Sequence, residues 1–154
     1  LSTPLDDVAA VMGMIADIYL TWERYRQRQI LPFGASLKQY FVLRQLDKVD
    51  YLNPSQIATV LFCDRPTATV IIRNLENKGW VSRQRDPLNL KRHRISLTPA
   101  GREKVAEIAR AGVSPPGFDP LAVLDAGEAR TLRTLLARVY KHVWVLNERG
   151  RTGE

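Results

Sequence analysis

The side chains with the most chemical potential in this chain form no catalytic set. Arg65, Pro66, Thr69, Val70 and Arg73 fall on one face of a segment whose other face is Ala68, Ile71, Ile72 and Leu75. An apolar stripe at steps of three and four marks a helix that turns its apolar side inward. What it leaves outward includes two guanidinium groups with a threonine between them. A guanidinium can hold guanine through two parallel hydrogen bonds, and threonine offers a hydroxyl or a methyl for thymine. The positive end of the helix also favours phosphate. Further along, Lys91 and Arg92 sit between two alternating segments. That reads as a hairpin with a basic loop, able to reach a minor groove or a phosphate backbone.

Other chemistries find no support. His93 and His142 have no Cys, Asp or Glu at ligand spacing, so neither a metal nor a cofactor is expected. No Ser–His–acid or Cys–His arrangement, Gly-rich phosphate loop or catalytic carboxylate pair stands out, and the chain is not expected to be an enzyme. Cys63, the single cysteine, cannot make an internal disulfide. It fits a reducing, cytoplasmic setting and reads as a small core residue.

The charge distribution agrees with a polyanionic partner. The 154 residues carry a formal charge of +7, with 45% hydrophobic residues, enough for a folded core. Between Asp64 and Arg110 lie 11 positive residues against 5 negative, while the other 107 residues hold 12 against 11. Nearly all the excess therefore falls on under a third of the chain, and a concentrated positive field attracts nucleic acid. The competing assignment is a solvated face that keeps the protein soluble. The apolar run Val8 to Ala16 is too short to span a bilayer, and Asp6 and Asp7 precede it, unlike the basic start of a secretory signal.

These residues need elements to position them. Residues 5–29 predict a long amphipathic helix, with Val8, Val11, Met12, Ile15, Ile18, Tyr19, Trp22 and Tyr25 on one stripe. Leu31-Pro32-Phe33-Gly34 breaks it, and Ser36 caps a second helix to about Lys48. Asn53-Pro54-Ser55-Gln56 opens a short helix with a cap, a proline and a residue that reaches back to the cap. Asp64 caps the next helix, which runs to Lys78 and stops at Gly79. Residues 80–85 and 93–97 alternate as strands around the turn Asp86-Pro87-Leu88-Asn89. Thr98-Pro99 opens a helix to about Ala111. Gly112 to Pro120 reads as a connector. Asp125 and Glu128 cap a last helix to about Leu146, beyond which a polar tail is expected to fray. The expected fold is mainly α with a small β-hairpin: a winged helix-turn-helix with an N-terminal and a C-terminal dimerisation helix. The expected domains are residues 1–31 for the first helix, 32–111 for the winged helix-turn-helix and 112–154 for the last helix and tail.

Three stretches carry a family resemblance: GASLKQYFVLRQL, LNPSQIATVLFCDRPTATVIIRNLENKGWVSRQRDP and RISLTPAGREKV. Together they resemble the multiple antibiotic resistance regulator (MarR) family of bacterial and archaeal repressors, over about Gly34 to Glu107. The resemblance implies a ligand-responsive repressor that binds a pseudo-palindromic operator on double-stranded DNA as a homodimer. It implies recognition contacts from Arg65, Pro66, Thr67, Thr69 and Arg73, and wing contacts from Lys91 and Arg92. Ser55, Gln56, Asn74 and Arg94 complete the candidate DNA-binding set. Two departures stand out. Val70 replaces an Arg that many members carry, and Asn89-Leu90-Lys91 replaces their Asp-x-Arg wing.

The apolar stripes of residues 5–29 and 126–146 are not needed to complete a winged helix. A second copy of the chain is the simplest way to cover them. Two recognition helices would then meet half-sites roughly 34–36 Å apart. The resemblance further implies an effector, since many members of the family lose DNA affinity when a small aromatic or phenolic molecule binds. Tyr19, Trp22, Arg26, Tyr40 and Arg44 are the candidate lining for such an effector; the competing assignment packs the aromatics in the dimer core and leaves Arg44 as a surface charge. The alternative function is a winged-helix protein-interaction module without DNA binding, for which Val70 and Asn89 would speak.

Overall fold

In the computed structural model, the backbone is described for residues 4–111 and 120–152, and side chains for 6–111 and 120–147. The chain divides into two units, residues 1–115 and 116–154. The expected connector at Gly112–Pro120 lies outside the described residues except for Pro120. So do Gly153 and Glu154 of the expected tail.

The first unit opens with α1 (Pro4–Ile30), whose first turn carries Asp6 and Asp7 and whose last turn carries Arg28. Both placements suit the helix dipole. A 3-10 turn (Leu31–Phe33) follows, closed by Gly34 at φ +73°. Helix α2 (Leu37–Leu46) starts in a reciprocal capping box between Ser36 and Gln39. Helix α3 (Pro54–Val60) starts in another, between Asn53 and Gln56. Helix α4 (Arg65–Asn77) is capped by Asp64, whose carboxylate accepts the Thr67 N–H at 2.8 Å. Each cap satisfies donors that the first helical turn leaves without an intrahelical partner. Gly79 at φ +70° follows the C-cap Lys78 and ends α4, a conformation that suits glycine. Thr98 caps α5 (Pro99–Arg110).

The hairpin is β1 (Val81–Asp86) against β2 (Asn89–Leu97). Its antiparallel register pairs Val81 with Leu97 and Arg85 with His93, then slips so that Asp86 faces Asn89. The turn is therefore Pro87-Leu88. This corrects the expected hairpin: β2 starts at residue 89, not 93, and Lys91 and Arg92 lie in a bulged stretch of strand instead of a loop. The cause is local. Asp86 Oδ1 accepts the Leu88 N–H at 2.9 Å and closes the turn early. Leu52 adds a short third edge, exchanging two backbone hydrogen bonds with Ile95 at 3.0 and 2.8 Å.

The core lies between these elements. Val42, Leu43 and Leu46 from α2 pack with Ile57 and Ala58 from α3 and with Ala68, Ile72 and Leu75 from α4. Val81, Ile95 and Leu97 of the hairpin and Val105 of α5 close it. Ala58 is small enough to let α3 brace α4 closely. A second cluster joins Ile30, Ala35, Tyr40 and Ile108. Ile71, expected inward, is half-buried and packs against the first cluster.

The second unit contains α6 (Ala126–Thr152). Asp125 Oδ1 accepts the Glu128 N–H, and Glu128 Oε2 accepts the Asp125 N–H, both at 2.9 Å, the reciprocal cap that was expected. The helix continues to Thr152, past the expected end near Leu146. Glu148, Arg149 and Arg151 are good helix formers, and Gly150 is the weakest residue of that final stretch. Among the described residues, no helix is long and apolar enough to cross a membrane.

Candidate nucleic-acid interface

Helix α4 presents one exposed face. Arg65, Pro66, Thr67, Thr69, Val70, Arg73 and Asn74 are exposed, while Ala68, Ile72 and Leu75 are buried. Arg65 occupies the first helical position, directly after the Asp64 cap. A cation there opposes the helix dipole, so it weakens the helix slightly unless an anion approaches. The Thr69 hydroxyl donates to the Arg65 carbonyl at 2.9 Å. That fixes its rotamer and leaves its lone pairs and methyl group outward. Val70 puts an apolar surface between Thr69 and Arg73.

Ser55 and Gln56 are exposed at the start of α3. Gln56 Oε1 accepts the Asn53 N–H at 2.8 Å. Its amide nitrogen is the part that remains for an outside partner. The turn between α3 and α4 contains Phe62, at φ +50° and 79% exposed, a residue that no sequence pattern singled out. Cys63 is half-buried and packs against the core, consistent with a structural side chain.

The wing departs most from the sequence reading. Lys91 and Arg92 are exposed. Arg94 is half-buried: its Nη2 binds Asp86 Oδ1 at 2.8 Å and its guanidinium lies 4.2 Å from the centre of the Tyr51 ring. Its side chain braces the wing stem. In the sequence Asp86 is only part of a turn signal, yet in the fold it is the residue that holds the wing. A cross-strand partner of this kind shows only once the register is known. Arg83 is likewise engaged, with Glu76 of α4, through two hydrogen bonds at 3.1 and 2.9 Å.

Two carboxylates here are held below the ordinary carboxylate range. Asp64 is lowered by hydrogen bonds from the Thr67 side chain and then its backbone. Asp86 is lowered first by the Leu88 N–H and then by Arg94. A depressed folded pKa adds stability above the unfolded value, and that stability is lost as pH falls through the folded one. Acid unfolding below about pH 4 should therefore begin with looser caps and wing. In Asp86→Asn the acid limb of a pH–stability curve should be shallower than in wild type. An unchanged limb would show that Asp86 contributes no such linkage.

Three of the five candidate effector residues converge. Arg26, Tyr40 and Arg44 line a cavity of about 420 Å³ with Asp47, Lys48, Val105 and Ala109. Tyr40 is 5% exposed, and the Arg44 guanidinium sits 5.9 Å from its ring centre. Tyr19 and Trp22 are not part of that lining; they are 54% and 38% exposed on α1. Trp22 touches the site indirectly, through Arg26 at 5.5 Å from its ring centre. Burial and the neighbouring Glu23 raise the Tyr19 phenol above its usual range. Val105 and Ala109 are hidden in the sequence because α5 meets α2 only in the folded chain, whereas Asp47 and Lys48 stand three and four residues after Arg44 and continue its face.

Among the described residues, no group of His, Cys, Asp and Glu could hold a metal ion.

Residues 35–93 match the MarR family. A Thauera aromatica protein named for transcriptional regulation of the hcr operon is 30% identical over 70% of this chain. The match spans 64% of that relative's own length. A mutant MarR from E. coli, solved in complex with operator DNA, has a TM-score of 0.75 at 21% identity, over 90% of this chain and 99% of that one. AbsC, a MarR family transcriptional regulator from Streptomyces coelicolor, has a TM-score of 0.78 at 19% identity, over 93% of this chain and 97% of that one. The stretch Ala35–His93 is thus similar to the MarR family, and the solved structures give the chain their winged helix-turn-helix fold.

Proposed function

We propose that this chain is a cytoplasmic, dimeric transcriptional repressor that binds a pseudo-palindromic DNA site and is released by a small aromatic or phenolic ligand. The observation that carries the reading is the exposed face of α4. Arg65, Thr69 and Arg73 lie along it, and the wing adds exposed Lys91 and Arg92. In this reading α4 enters a major groove, with Arg73 and Arg65 on base edges and phosphates and Thr67, Thr69 and Asn74 beside them. Ser55 and Gln56 meet the flanking backbone, and Lys91 and Arg92 follow the adjacent groove.

Dimerisation is supported by the apolar stripes. Val8, Val11, Met12, Ile18 and Tyr19 of α1 are all exposed. So are Leu135, Leu136, Val139, Val143 and Leu146 of α6. Each row is a contiguous apolar surface that water alone would cover, and a second copy relieves both. Ligand response is supported by the cavity under Tyr40, where Arg26 and Arg44 could pair with an anionic group and the tyrosine ring could stack on an aromatic one. A ligand there releases DNA only by preferring the spacing of recognition helices that does not fit the operator.

The test is a titration of the full chain on duplexes selected from a random pool, at several salt concentrations, with its mass in solution measured alongside. Expected are a dimer, preference for the selected sequence, and a log–log salt slope of about −0.9 per phosphate contacted. Salt-independent binding, or no preference over random duplex, defeats the reading.

A further inference from the structure

We propose that the wing tip is an apolar wedge: Leu88, with Leu90 beside it, inserts into the minor groove and opens a base step. The proposal rests on the DNA-binding reading above and concerns how the wing is used within it.

Leu88 is 90% exposed and Leu90 66% exposed. Single exposed leucines are common on protein surfaces. These two are unusual in their setting. Leu88 follows Pro87 in a two-residue turn without positive φ, which accepts most residues, so the turn itself does not call for a leucine. An almost fully exposed leucine there gains no packing within the fold. Nor is the tip loosely held. Asp86 grips the Leu88 N–H at 2.9 Å and is itself held by Arg94. Asn89 Oδ1 accepts the Lys91 N–H at 3.1 Å. Leu90, Lys91 and Arg92 have no register partner on β1, so the bulge carries them away from the ladder.

The surroundings specify the occupant. Exposed Arg85, Lys91 and Arg92 flank the two leucines. An apolar point inside a cationic rim complements a groove walled by phosphates and floored by base edges. Apolar side chains that enter a minor groove between base pairs unstack them and bend the duplex. The cost is lowest at flexible pyrimidine–purine steps, so the wedge would also impose a sequence preference without hydrogen bonds to bases.

The probe is a short duplex selected from a random pool by the wild-type protein, labelled at both ends for energy transfer and titrated at several salt concentrations. Wild-type binding with a salt slope supports the parent reading, independently of the wedge. The wedge is then decided by Leu88→Ser and Leu88→Met, both at a position too exposed to disturb folding. The serine variant should lose about tenfold in affinity, the scale of one leucine returned to water. It should keep the wild-type salt slope and bend the duplex less. The methionine variant should bend it as wild type does. The selected duplexes should carry a TA or CA/TG step where the wing falls. A serine variant that binds and bends like wild type overturns the proposal and leaves the tip to a protein partner. A loss accompanied by a shallower salt slope also overturns it, because the contact would then be electrostatic.

Discussion

Gly101→Ala should lower the stability of the chain by about 2–3 kcal/mol, the upper range for forcing extra volume into a packed site. A Cβ on Gly101 would stand 2.0 Å from the Trp80 carbonyl oxygen and 2.9 Å from Leu97 Cδ2. Real carbon atoms do not approach backbone oxygen so closely, and the obstacle is main chain, which cannot swing aside. The Trp80 carbonyl also accepts the Thr98 N–H at 3.1 Å, while the Thr98 hydroxyl donates to the Gly79 carbonyl at 2.6 Å and accepts the Gly101 N–H at 3.0 Å. Pushing Trp80 away therefore strains the cap of α5 and the exit from α4 together. Urea unfolding of both proteins checks this. A midpoint within error of wild type would mean that α5 can slide without cost. The same substitution should weaken DNA binding less than stability, since the recognition face itself is untouched.

On the DNA side, Arg73→Ala and Lys91→Ala should fail in different ways. Arg73 stands exposed midway along α4, where a guanidinium can take a guanine edge with two hydrogen bonds. Its removal should cost about 1–3 kcal/mol on the preferred duplex and far less on random duplex, so specificity relaxes. Lys91 lies in the wing bulge and carries a point charge without a fork. Its removal should weaken all duplexes alike and reduce the salt slope by about 1. Paired titrations on selected and random duplexes distinguish the two. Equal loss of specificity from both variants would contradict these roles.

Most of the element boundaries could be read from local chemistry. Asn53 with Gln56, Asp64 with Thr67, Thr98 with Gly101 and Asp125 with Glu128 each form a cap within four residues, so the sequence alone contains both partners. The same is true of Gly79, whose positive φ follows from its place after a helix. What stayed hidden depends on strand register or tertiary packing. Lys91 and Arg92 look like loop residues until Asp86 is seen pairing across the hairpin with Arg94, eight positions away. Lys78 looks like one more basic residue at a helix end. In the fold its ammonium donates to the Gly34 carbonyl and to Gln39 Oε1, and it lies 4.8 Å from the centre of the Trp80 ring. The cavity is divided in the same manner: Arg26, Tyr40 and Arg44 could be named from sequence, whereas Val105 and Ala109 could not.

The brace of Asp86, Arg94 and Tyr51 has a consequence for how such a protein can change over time. It sets the path of the wing from its stem, below the residues that face outward. The side chains of Leu88, Leu90, Lys91 and Arg92 are exposed and stand outside that brace. Shape and chemistry at the tip are therefore separable. A lineage can exchange tip residues one at a time while the stem keeps its course, and an engineer can graft a different tip onto the same stem.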